Sequence, residues 1–355
     1  MRALVATGPG QLQMADVAGP VVSAGQVLVR SRVTAVSAGT ELRMLYEGRA
    51  EHGPDPQWPA VGAFGYLVAG DVVAVGRDVS SVKVGDRVAC GRNWGAHREF
   101  VETAATRVQL LPEDVSYLDG ACAYWAVPPL CGILAGRPDF YADAAVVGLG
   151  PLGIAAVQML TPFCRTVVAV DRVRMRCDSA ARYGAVVVDG SAVDAAAAVR
   201  EVLPGGASVV IQAAGSQSAL ELGLAVASPG GRVVNVGTLP TLSGLDLFWP
   251  MQLSGAHLVP IYRPAATSTR EEDGALGAVL RERYLPDVIE MMRRGRLDVA
   301  SLCTWCVPIE RGPAAFELLR AHPERCLGLA FAWDDAQVKG LAEFTSAVTT
   351  PRSLS

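Results

Sequence analysis

Lysine is almost absent from this chain of 355 residues, in which only Lys83 and Lys339 are lysines and the other basic residues are arginines. Schiff-base chemistry on a lysine amine is therefore not expected. Catalysis by a Tyr-x-x-x-Lys pair is excluded as well, because Val79 and Asp335 stand four residues before the two lysines. The scarcity of lysine thus removes two chemistries before any motif is considered.

Long runs of charge and long apolar runs are also missing. The 31 basic and 35 acidic residues are scattered and give a net charge of -4, so no concentrated basic face for nucleic acid is expected. Every apolar stretch of membrane-spanning length is interrupted by Gly, Pro or a charge. The first ten residues lack the apolar region of a secretory signal. We predict a cytoplasmic protein that binds a small molecule, without nucleic acid or membrane partners.

Patterns typical of metal sites are sparse. The eight cysteines are irregularly spaced, and the CxxC formed by Cys303 and Cys306 has no second CxxC and lies in an apolar, strand-like run. We interpret the cysteines as reduced and mostly buried thiols, with a redox or metal role for the CxxC as the alternative. None of the four histidines is paired with another at i,i+4.

The hydrophobic pattern changes twice along the chain. Short β-branched segments bounded by turn residues predict strands up to about residue 125. From Tyr141, continuous Val/Ile/Ala strands alternate with Ala-rich helical stretches, as in a parallel sheet covered on both faces. We predict an α/β fold in which a doubly wound domain, 129–262, is inserted into a β-rich domain, 1–128 and 263–333. A loosely held polar tail, 334–355, follows, and the cleft between the domains is the expected site.

A glycine turn is the strongest motif, because it follows an apolar strand and begins an apolar helix. Its first glycine permits a tight turn, its second lets the backbone approach a pyrophosphate, and its third lets the helix pack closely on the strand. The helix N-terminus then offers free N–H groups to phosphates. The turn reads Gly148-Leu149-Gly150-Pro151-Leu152-Gly153.

Asp171 closes the next strand, where a carboxylate accepts the hydroxyls of the adenosine ribose and repels a 2′-phosphate. This favours NAD over NADP, while a helix N-cap is the alternative role of Asp171. The nearby Arg172 and Arg176 keep NADP possible, because a guanidinium attracts phosphate. Four further residues at the ends of later strands are expected to contact ribose or nicotinamide through their backbone: Ala214, Gly215, Gly237 and Thr238.

The chain resembles the medium-chain dehydrogenase/reductase superfamily over residues 1–333. The likeness rests on the GDRV turn in Val84–Val88, the G-x-x-x-E-[YF] strand in Gly95–Phe100, and the segments Ser208–Gly215 and Pro229–Val233. The resemblance implies a Rossmann domain inserted into a discontinuous GroES-like catalytic domain, with hydride transfer to or from a nicotinamide. It also implies a homodimer formed through the edge strands of the nucleotide domain.

The residues that bind zinc in many members of this superfamily are replaced here. The Cys-Gly-Thr-Asp element aligns with Ala38–Glu41, and the Gly-His-Glu element with Gly65-Tyr66-Leu67. The third ligand region, near 126–128, has no Cys, Asp or Glu, and the four-cysteine lobe is missing. Ala, Tyr and Leu cannot replace thiolate, imidazole or carboxylate ligands, so we predict a zinc-free member. The phrase Ser37–Glu41 is also similar to one in zinc-independent proteins of the bacteriochlorophyllide dehydrogenase type.

Without zinc, a hydrogen-bond donor must stand near the substrate oxygen. Tyr66 is the first candidate, because the family position that it occupies faces the nicotinamide; filling the emptied zinc pocket is its alternative role. Thr40 either passes a proton or caps a helix. Glu41 is either a base or a structural partner of an arginine such as Arg43. His97 is a weaker candidate on a strand.

The substrate pocket is expected to be aromatic, formed by Tyr46, Trp58, Tyr124 and Trp125, with core packing as the equal alternative. The long segment Arg263–Arg283 is either a lid or a surface insertion. The leading functional prediction is interconversion of a secondary alcohol and a ketone on a polyol, cyclitol or natural-product intermediate. Reduction of a polarised C=C or C=N bond with NADPH and cofactor binding without turnover are the alternatives.

Overall fold

The chain divides into two compact units. A computed structural model describes residues 1–47, 64–91, 95–191, 194–261 and 283–349, and the backbone of 49–50 and 53–54. Met1–Tyr124 and Ala300–Ser355 form one unit, here called the split unit, and Trp125–Val299 forms the other, the continuous unit. The predicted α/β fold class, a parallel sheet inserted into a β-rich remainder, is confirmed.

The strands and helices follow the predicted alternation closely. In chain order they are β1 (Arg2–Gly8), β2 (Gln11–Asp16), β3 (Gln26–Ala35), α1 (Ala38–Glu47), β4 (Arg49–Ala50), β5 (Gly53–Pro54), β6 (Leu67–Val75), β7 (Arg87–Gly91), β8 (Phe100–Ala104), β9 (Val108–Leu110), α2 (Tyr117–Cys122), α3 (Val127–Gly136), β10 (Asp143–Val147), α4 (Pro151–Leu160), β11 (Thr166–Asp171), α5 (Arg174–Ala181), β12 (Val186–Asp189), α6 (Ala195–Val202), β13 (Ala207–Gln212), α7 (Gln217–Val226), β14 (Ala227–Asn235), β15 (His257–Pro260), α8 (Leu285–Arg293), β16 (Trp305–Pro308), α9 (Gly312–Ala321), β17 (Leu329–Ala332) and α10 (Leu341–Thr349).

A parallel sheet forms the centre of the continuous unit. Its six strands lie in the order β12-β11-β10-β13-β14-β15, and every neighbouring pair is parallel. The side chains of Ala144, Ala145 and Val146 in β10 have no exposed surface, as expected for a strand covered on both faces. Strand order reverses between β10 and β13, and in open α/β sheets ligands bind at the carboxyl ends of the strands beside such a reversal.

A mixed sheet organises the split unit. Its strands lie in the order β16-β17-β3-β6-β7-β9, with β8 paired to β3. The pairs β3–β6, β6–β7, β7–β9 and β17–β3 are antiparallel, and β16–β17 is parallel. Strands β1 and β2 form a separate antiparallel pair.

The predicted tail is the main departure from the expected organisation. Residues Leu341–Thr349 form α10, and Phe344 is only 2% exposed, with its ring 5.6 Å from that of Trp305. Leu341 and Ala347 also pack against this core. The prediction of a loosely held tail was wrong for this part. Three apolar residues at helical spacing are enough to pack the helix on the core, although most of the segment is polar and rich in Ser and Thr.

One helical run, Tyr117–Gly136, is long and apolar enough to cross a membrane by length and composition alone. The sequence did not predict a membrane-spanning segment here, because Gly120 and Pro128 interrupt the run. In the structure 61% of its apolar window is buried inside the protein. That is the environment of a core helix in a globular protein.

Candidate functional site

The glycine turn lies at the carboxyl end of β10, beside the reversal in strand order. Gly148 has φ +92°, and its N–H donates to the carbonyl oxygen of Val170 at 2.8 Å. A β-carbon on Gly148 would lie 2.7 Å from Ala214, and one on Gly153 would lie 1.8 Å from the oxygen of Gly148. Both positions therefore require glycine, the first for its backbone conformation and both for space.

Gly150 differs from Gly148 and Gly153, because the protein leaves open space beside it. It is the N-cap of α4 with φ -67°, and a β-carbon placed on it would meet no atom within 4 Å. No side chain caps the first turn of α4, so its N–H groups are not satisfied by a capping residue. Open space above unsatisfied N–H groups at a helix N-terminus suits a pyrophosphate.

Asp171 connects the second strand to the glycine turn. Its Oδ2 accepts a hydrogen bond from the Leu149 N–H at 2.6 Å, and its Oδ1 accepts one from the Val173 N–H at 2.9 Å. The guanidinium of Arg176 lies 3.9 Å from Oδ2, and Arg172 is exposed. The carboxylate thus holds the turn in place, a role that was not predicted from the sequence. The N-cap of α5 is Val173, without a side-chain capping bond, so the N-cap alternative for Asp171 was wrong.

Two polar side chains at the strand ends were not found from the sequence. The Nε2 of Gln212 donates to the carbonyl oxygen of Ala214 at 2.7 Å, and the Nδ2 of Asn235 donates to that of Gly237 at 3.1 Å. These two residues face each other in the register of β13 and β14. They fix the backbone of the strand ends where Ala214 and Gly237 were predicted to contact the cofactor. The signal was available, since each is a polar residue ending an apolar strand.

Ala214, Gly215, Gly237 and Thr238 lie at these ends of β13 and β14. A β-carbon on Gly237 would lie 2.2 Å from the oxygen of Ala214, so the two strand ends approach closely. Thr238 is exposed. This edge of the sheet therefore presents backbone and small side chains, which leaves room for a flat ring.

The split unit brings Glu41 and His97 together in its core. The Nε2 of His97 lies 2.9 Å from the Oε2 of Glu41, and neither side chain has exposed surface. The predicted partner Arg43 instead pairs with Glu47 at 3.4 Å. The prediction of a Glu41–arginine pair was wrong, because α1 turns Glu41 inward. A substrate cannot reach either side chain while the core is closed, so neither fits the predicted catalytic role.

Thr40 and Tyr66 are the predicted catalytic residues that retain access to solvent. Both side chains are half-buried. The N–H of Thr40 donates to the oxygen of Ser37 at 3.0 Å at the start of α1, and Tyr66 immediately precedes β6. Of the four candidates, these two can offer a hydroxyl to a substrate.

The predicted aromatic pocket residues are largely engaged in packing. The hydroxyl of Tyr46 donates to Glu317 at 3.2 Å, and the guanidinium of Arg320 lies 5.0 Å from its ring. Tyr124 is 7% exposed, with its ring against Gly91, and Trp125 is 2% exposed. For these three, the core-packing alternative fits the structure better than a pocket role. Trp58 and most of the segment Arg263–Arg283 lie outside the described residues.

The donor set does not suit zinc. The positions that align with zinc ligands hold Ala38, Tyr66 and Leu67, and within the described ranges no three or more His, Cys, Asp or Glu residues are grouped to hold a metal. The CxxC is buried, with the Cys303 thiol donating to the Trp305 oxygen at 3.1 Å. Burial raises the pKa of the Cys306 thiol well above its usual value, which favours an inert thiol. The prediction of free, mostly buried cysteines is confirmed.

Comparisons with known proteins agree with this architecture. Residues 23–129 match the family model of the alcohol dehydrogenase GroES-like domain, and residues 151–273 match that of the zinc-binding dehydrogenases. A probable zinc-binding alcohol dehydrogenase of Mycobacterium tuberculosis is 25% identical, over 97% of this chain and 91% of its own. D-guloside 3-dehydrogenase of Escherichia coli K12 is 25% identical, over 92% of this chain and 98% of its own.

Solved structures show the same fold. An alcohol dehydrogenase from Escherichia coli CFT073, solved in complex with NADH, superimposes with a TM-score of 0.77 at 19% identity, covering 94% of this chain and 99% of its own. The two family models together span well over half of the chain. The chain belongs to the medium-chain dehydrogenase/reductase superfamily. It is an NAD(P)-dependent oxidoreductase of the alcohol dehydrogenase type, as the sequence predicted.

Proposed function

We propose that this enzyme interconverts a secondary alcohol and a ketone with NAD and without zinc. The observation that carries the proposal is the donor set at the aligned ligand positions. Ala38 and Leu67 have no donor atom, and Tyr66 offers a phenol where the superfamily uses imidazole. The proposal departs from the zinc-binding description of the family model and of the mycobacterial relative.

The continuous unit supplies the cofactor site. When bound, the nicotinamide accepts or returns a hydride. The glycine turn and the N-terminus of α4 hold the pyrophosphate, and the strand ends at Ala214 and Gly237 hold the nicotinamide side through their backbone. Asp171, already anchored to the turn, presents its carboxylate to the ribose and repels a 2′-phosphate, which favours NAD.

The split unit supplies the proton. Oxidation of an alcohol requires a group that takes up the hydroxyl proton, and reduction requires one that returns it. Tyr66 is proposed as this group, with Thr40 as the alternative, since both residues are half-buried whereas Glu41 and His97 are fully buried. A well-placed group of this kind contributes roughly 10²–10⁴-fold to the rate.

A polyol, cyclitol, sugar derivative or natural-product intermediate is proposed as the substrate. Relatives named for oxidation of a sugar derivative, D-guloside, and for reduction of D-xylulose support this choice. We also propose a cytoplasmic homodimer formed at the edge strand β15. In the helical turn Phe248–Leu253, which precedes β15 in the chain, Phe248 and Trp249 are 51% and 67% exposed. Sedimentation equilibrium that gives a monomer mass of 37.1 kDa would refute the dimer.

A second function, reduction of a polarised C=C or C=N bond with NADPH, is favoured by one observation. The guanidinium of Arg176 lies 3.9 Å from Asp171 and partly offsets its charge, which makes a 2′-phosphate less unfavourable. Titration of the protein fluorescence with NADH and NADPH separates the two. Tight NADPH binding with no response to NADH would replace the proposed oxidation with this reduction.

Steady-state rates on secondary alcohols, ketones and enones, with each cofactor, test the function. We expect Tyr66→Phe to lower kcat by roughly 10²–10⁴-fold with an unchanged affinity for NADH. Thr40→Val tests the alternative donor, and Tyr46→Phe is the matched control. Unchanged turnover in Tyr66→Phe removes Tyr66 as the proton donor. One zinc per chain in active protein, with activity lost on chelation, refutes the zinc-free mechanism.

A further inference from the structure

A chain of buried hydrogen bonds crosses the core of the split unit. The indole N–H of Trp333 donates to the Thr34 hydroxyl at 3.3 Å, and that hydroxyl lies 2.9 Å from the Nδ1 of His97. The Nε2 of His97 lies 2.9 Å from Glu41, which also accepts a hydrogen bond from the Ser37 N–H at 2.7 Å. Because a carboxylate only accepts, an ionised Glu41 requires the proton on Nε2, and a neutral ring then accepts from Thr34 at Nδ1.

Stability alone does not account for this pair. The His97 ring is enclosed by phenylalanines, with centroid distances of 5.9 Å to Phe64, 6.4 Å to Phe316 and 5.1 Å to Phe331. A buried ionic or polar pair in such a core is often no more stabilising than apolar residues of similar volume. The pair can instead fix the relative position of the residues that it joins, since each hydrogen bond requires a particular distance and direction.

The pair joins the two segments that carry the proposed proton donors. Glu41 belongs to the segment 37–41, which contains Thr40. His97 lies in the segment just before β8, not on a strand as predicted, and the backbone of this segment holds the segment 64–66, which contains Tyr66. The N–H of His97 donates to the Phe64 oxygen at 3.2 Å, and the N–H of Ala96 donates to the Gly65 oxygen at 3.1 Å.

The His97 side chain also packs directly on this second segment. Gly65 has φ +77°, and a β-carbon on it would lie 2.5 Å from the imidazole ring. The imidazole therefore rests on the backbone next to Tyr66 while its Nε2 reaches α1. A metal at position 38 cannot link the segments, because alanine offers no ligand.

We propose that the Glu41–His97 hydrogen bond is a positioning device that holds segments 37–41 and 64–66 in a fixed relation. Both residues act through their neighbours and touch neither substrate nor cofactor. The inference rests on the proposed function for the roles of Thr40 and Tyr66, but the link between the segments is a separate physical claim. It is therefore tested by hydrogen–deuterium exchange as well as by rate.

Two substitutions of His97 separate its two hydrogen bonds. The amide of His97→Gln extends to about the position of Nε2 and can still donate to Glu41. The shorter amide of His97→Asn lies near Nδ1 and reaches only Thr34. Phe344→Leu is the matched control, because Phe344 is buried in the same core cluster and its ring lies against Trp305.

We expect His97→Asn to speed exchange in peptides covering both segments by about tenfold and to lower kcat by roughly 10–100-fold, as for a small misplacement of reacting groups. The affinity for NADH should not change. His97→Gln should restore slow exchange and most of kcat. Phe344→Leu should lower thermal stability without faster exchange in either segment.

Equal behaviour of His97→Asn and His97→Gln, or faster exchange of both segments in Phe344→Leu, overturns the proposal. If His97→Asn does not fold, NMR of the His97 ring in the unmodified protein decides. A proton on Nε2 that exchanges slowly supports the bond to Glu41, and a rapidly exchanging proton or the Nδ1–H tautomer overturns it. A wild-type protein that oxidises no alcohol contradicts the proposed function, while the exchange comparison still decides the link.

Discussion

The glycine turn of the continuous unit and the Glu41–His97 pair of the split unit are built in opposite ways. The turn uses consecutive residues, in which Gly148 is fixed by its backbone conformation and Gly153 by an atom that a β-carbon would meet, while Gly150 borders open space. The pair joins side chains 56 positions apart, one from α1 and one from the segment just before β8. A requirement of the local backbone can be predicted from a single sequence, whereas a contact between side chains distant in sequence cannot. The predictions below test that contrast.

Gly153→Ala should have the largest effect. Its β-carbon would lie 1.8 Å from the oxygen of Gly148, so the helix must move away from the turn. We expect a loss of about 1–3 kcal/mol in the free energy of unfolding and loss of NADH binding. Thermal unfolding and fluorescence titration measure the two effects.

Gly150→Ala is the control within the same turn. Its β-carbon enters open space, so stability should be retained while the approach of the pyrophosphate is blocked. We expect NADH to bind at least about tenfold more weakly, or about 1.4 kcal/mol. Normal NADH binding by Gly150→Ala would show that the phosphates lie elsewhere, even if Gly153→Ala is destabilised as expected.

Asp171→Asn should have an intermediate effect, because Asp171 holds the turn and, in the proposed function, also binds the ribose of the cofactor. The neutral amide retains one acceptor oxygen, so it keeps only one of the hydrogen bonds from Leu149 and Val173. We expect NADH affinity to fall by about 1.5–3 kcal/mol, the range for hydrogen bonds to a charged group. The ratio of NADPH to NADH affinity should rise, because the repulsion of the 2′-phosphate is removed.

Arg174→Ala is the matched control for Asp171→Asn. Arg174 begins α5, three residues after Asp171, but its side chain is 88% exposed and paired with Asp178. Removing its charge should leave the preference between the two cofactors unchanged. A preference that shifts toward NADH in Arg174→Ala by as much as it shifts toward NADPH in Asp171→Asn would indicate a general effect of charge at this edge, and Asp171 would then have no specific role with the ribose.

The contrast explains how much of the molecule the sequence could predict. The parallel sheet was predictable because continuous Val/Ile/Ala strands, alternating with helices, are typical of strands covered on both faces. The tight turn at Gly148 and the close packing at Gly153 were predictable from their position after β10. The hydrogen bond from Leu149 to Asp171 was not, because it depends on the register of β10 and β11.

The split unit was predicted less completely for the same physical reason. The sequence identified Glu41 and His97 as ionisable residues near superfamily motifs, but burial decides what an ionisable residue can do, and burial follows from tertiary packing. The core around them includes Phe316 and Phe331, which lie more than 200 positions away in sequence. The helix at Leu341–Thr349 was missed because its apolar face packs on this same distant core.

Tyr46→Phe should have the smallest effect, and it tests whether Tyr46 has a structural role or lines the substrate pocket. The sequence grouped Tyr46 with the pocket aromatics, whereas the structure places its hydroxyl 3.2 Å from Glu317 beside Arg320. Burial and Glu317 raise the pKa of Tyr46, so the hydroxyl stays protonated at neutral pH and donates to the carboxylate. Loss of this partly exposed bond should cost about 0.5–1.5 kcal/mol in the free energy of unfolding. Since no contact of Tyr46 points to a substrate, kcat and KM should match the wild type. A several-fold rise in KM at unchanged stability would show that Tyr46 lines the substrate pocket. The sequence would then have predicted this part of the split unit correctly, although it did not predict the buried Glu41–His97 pair.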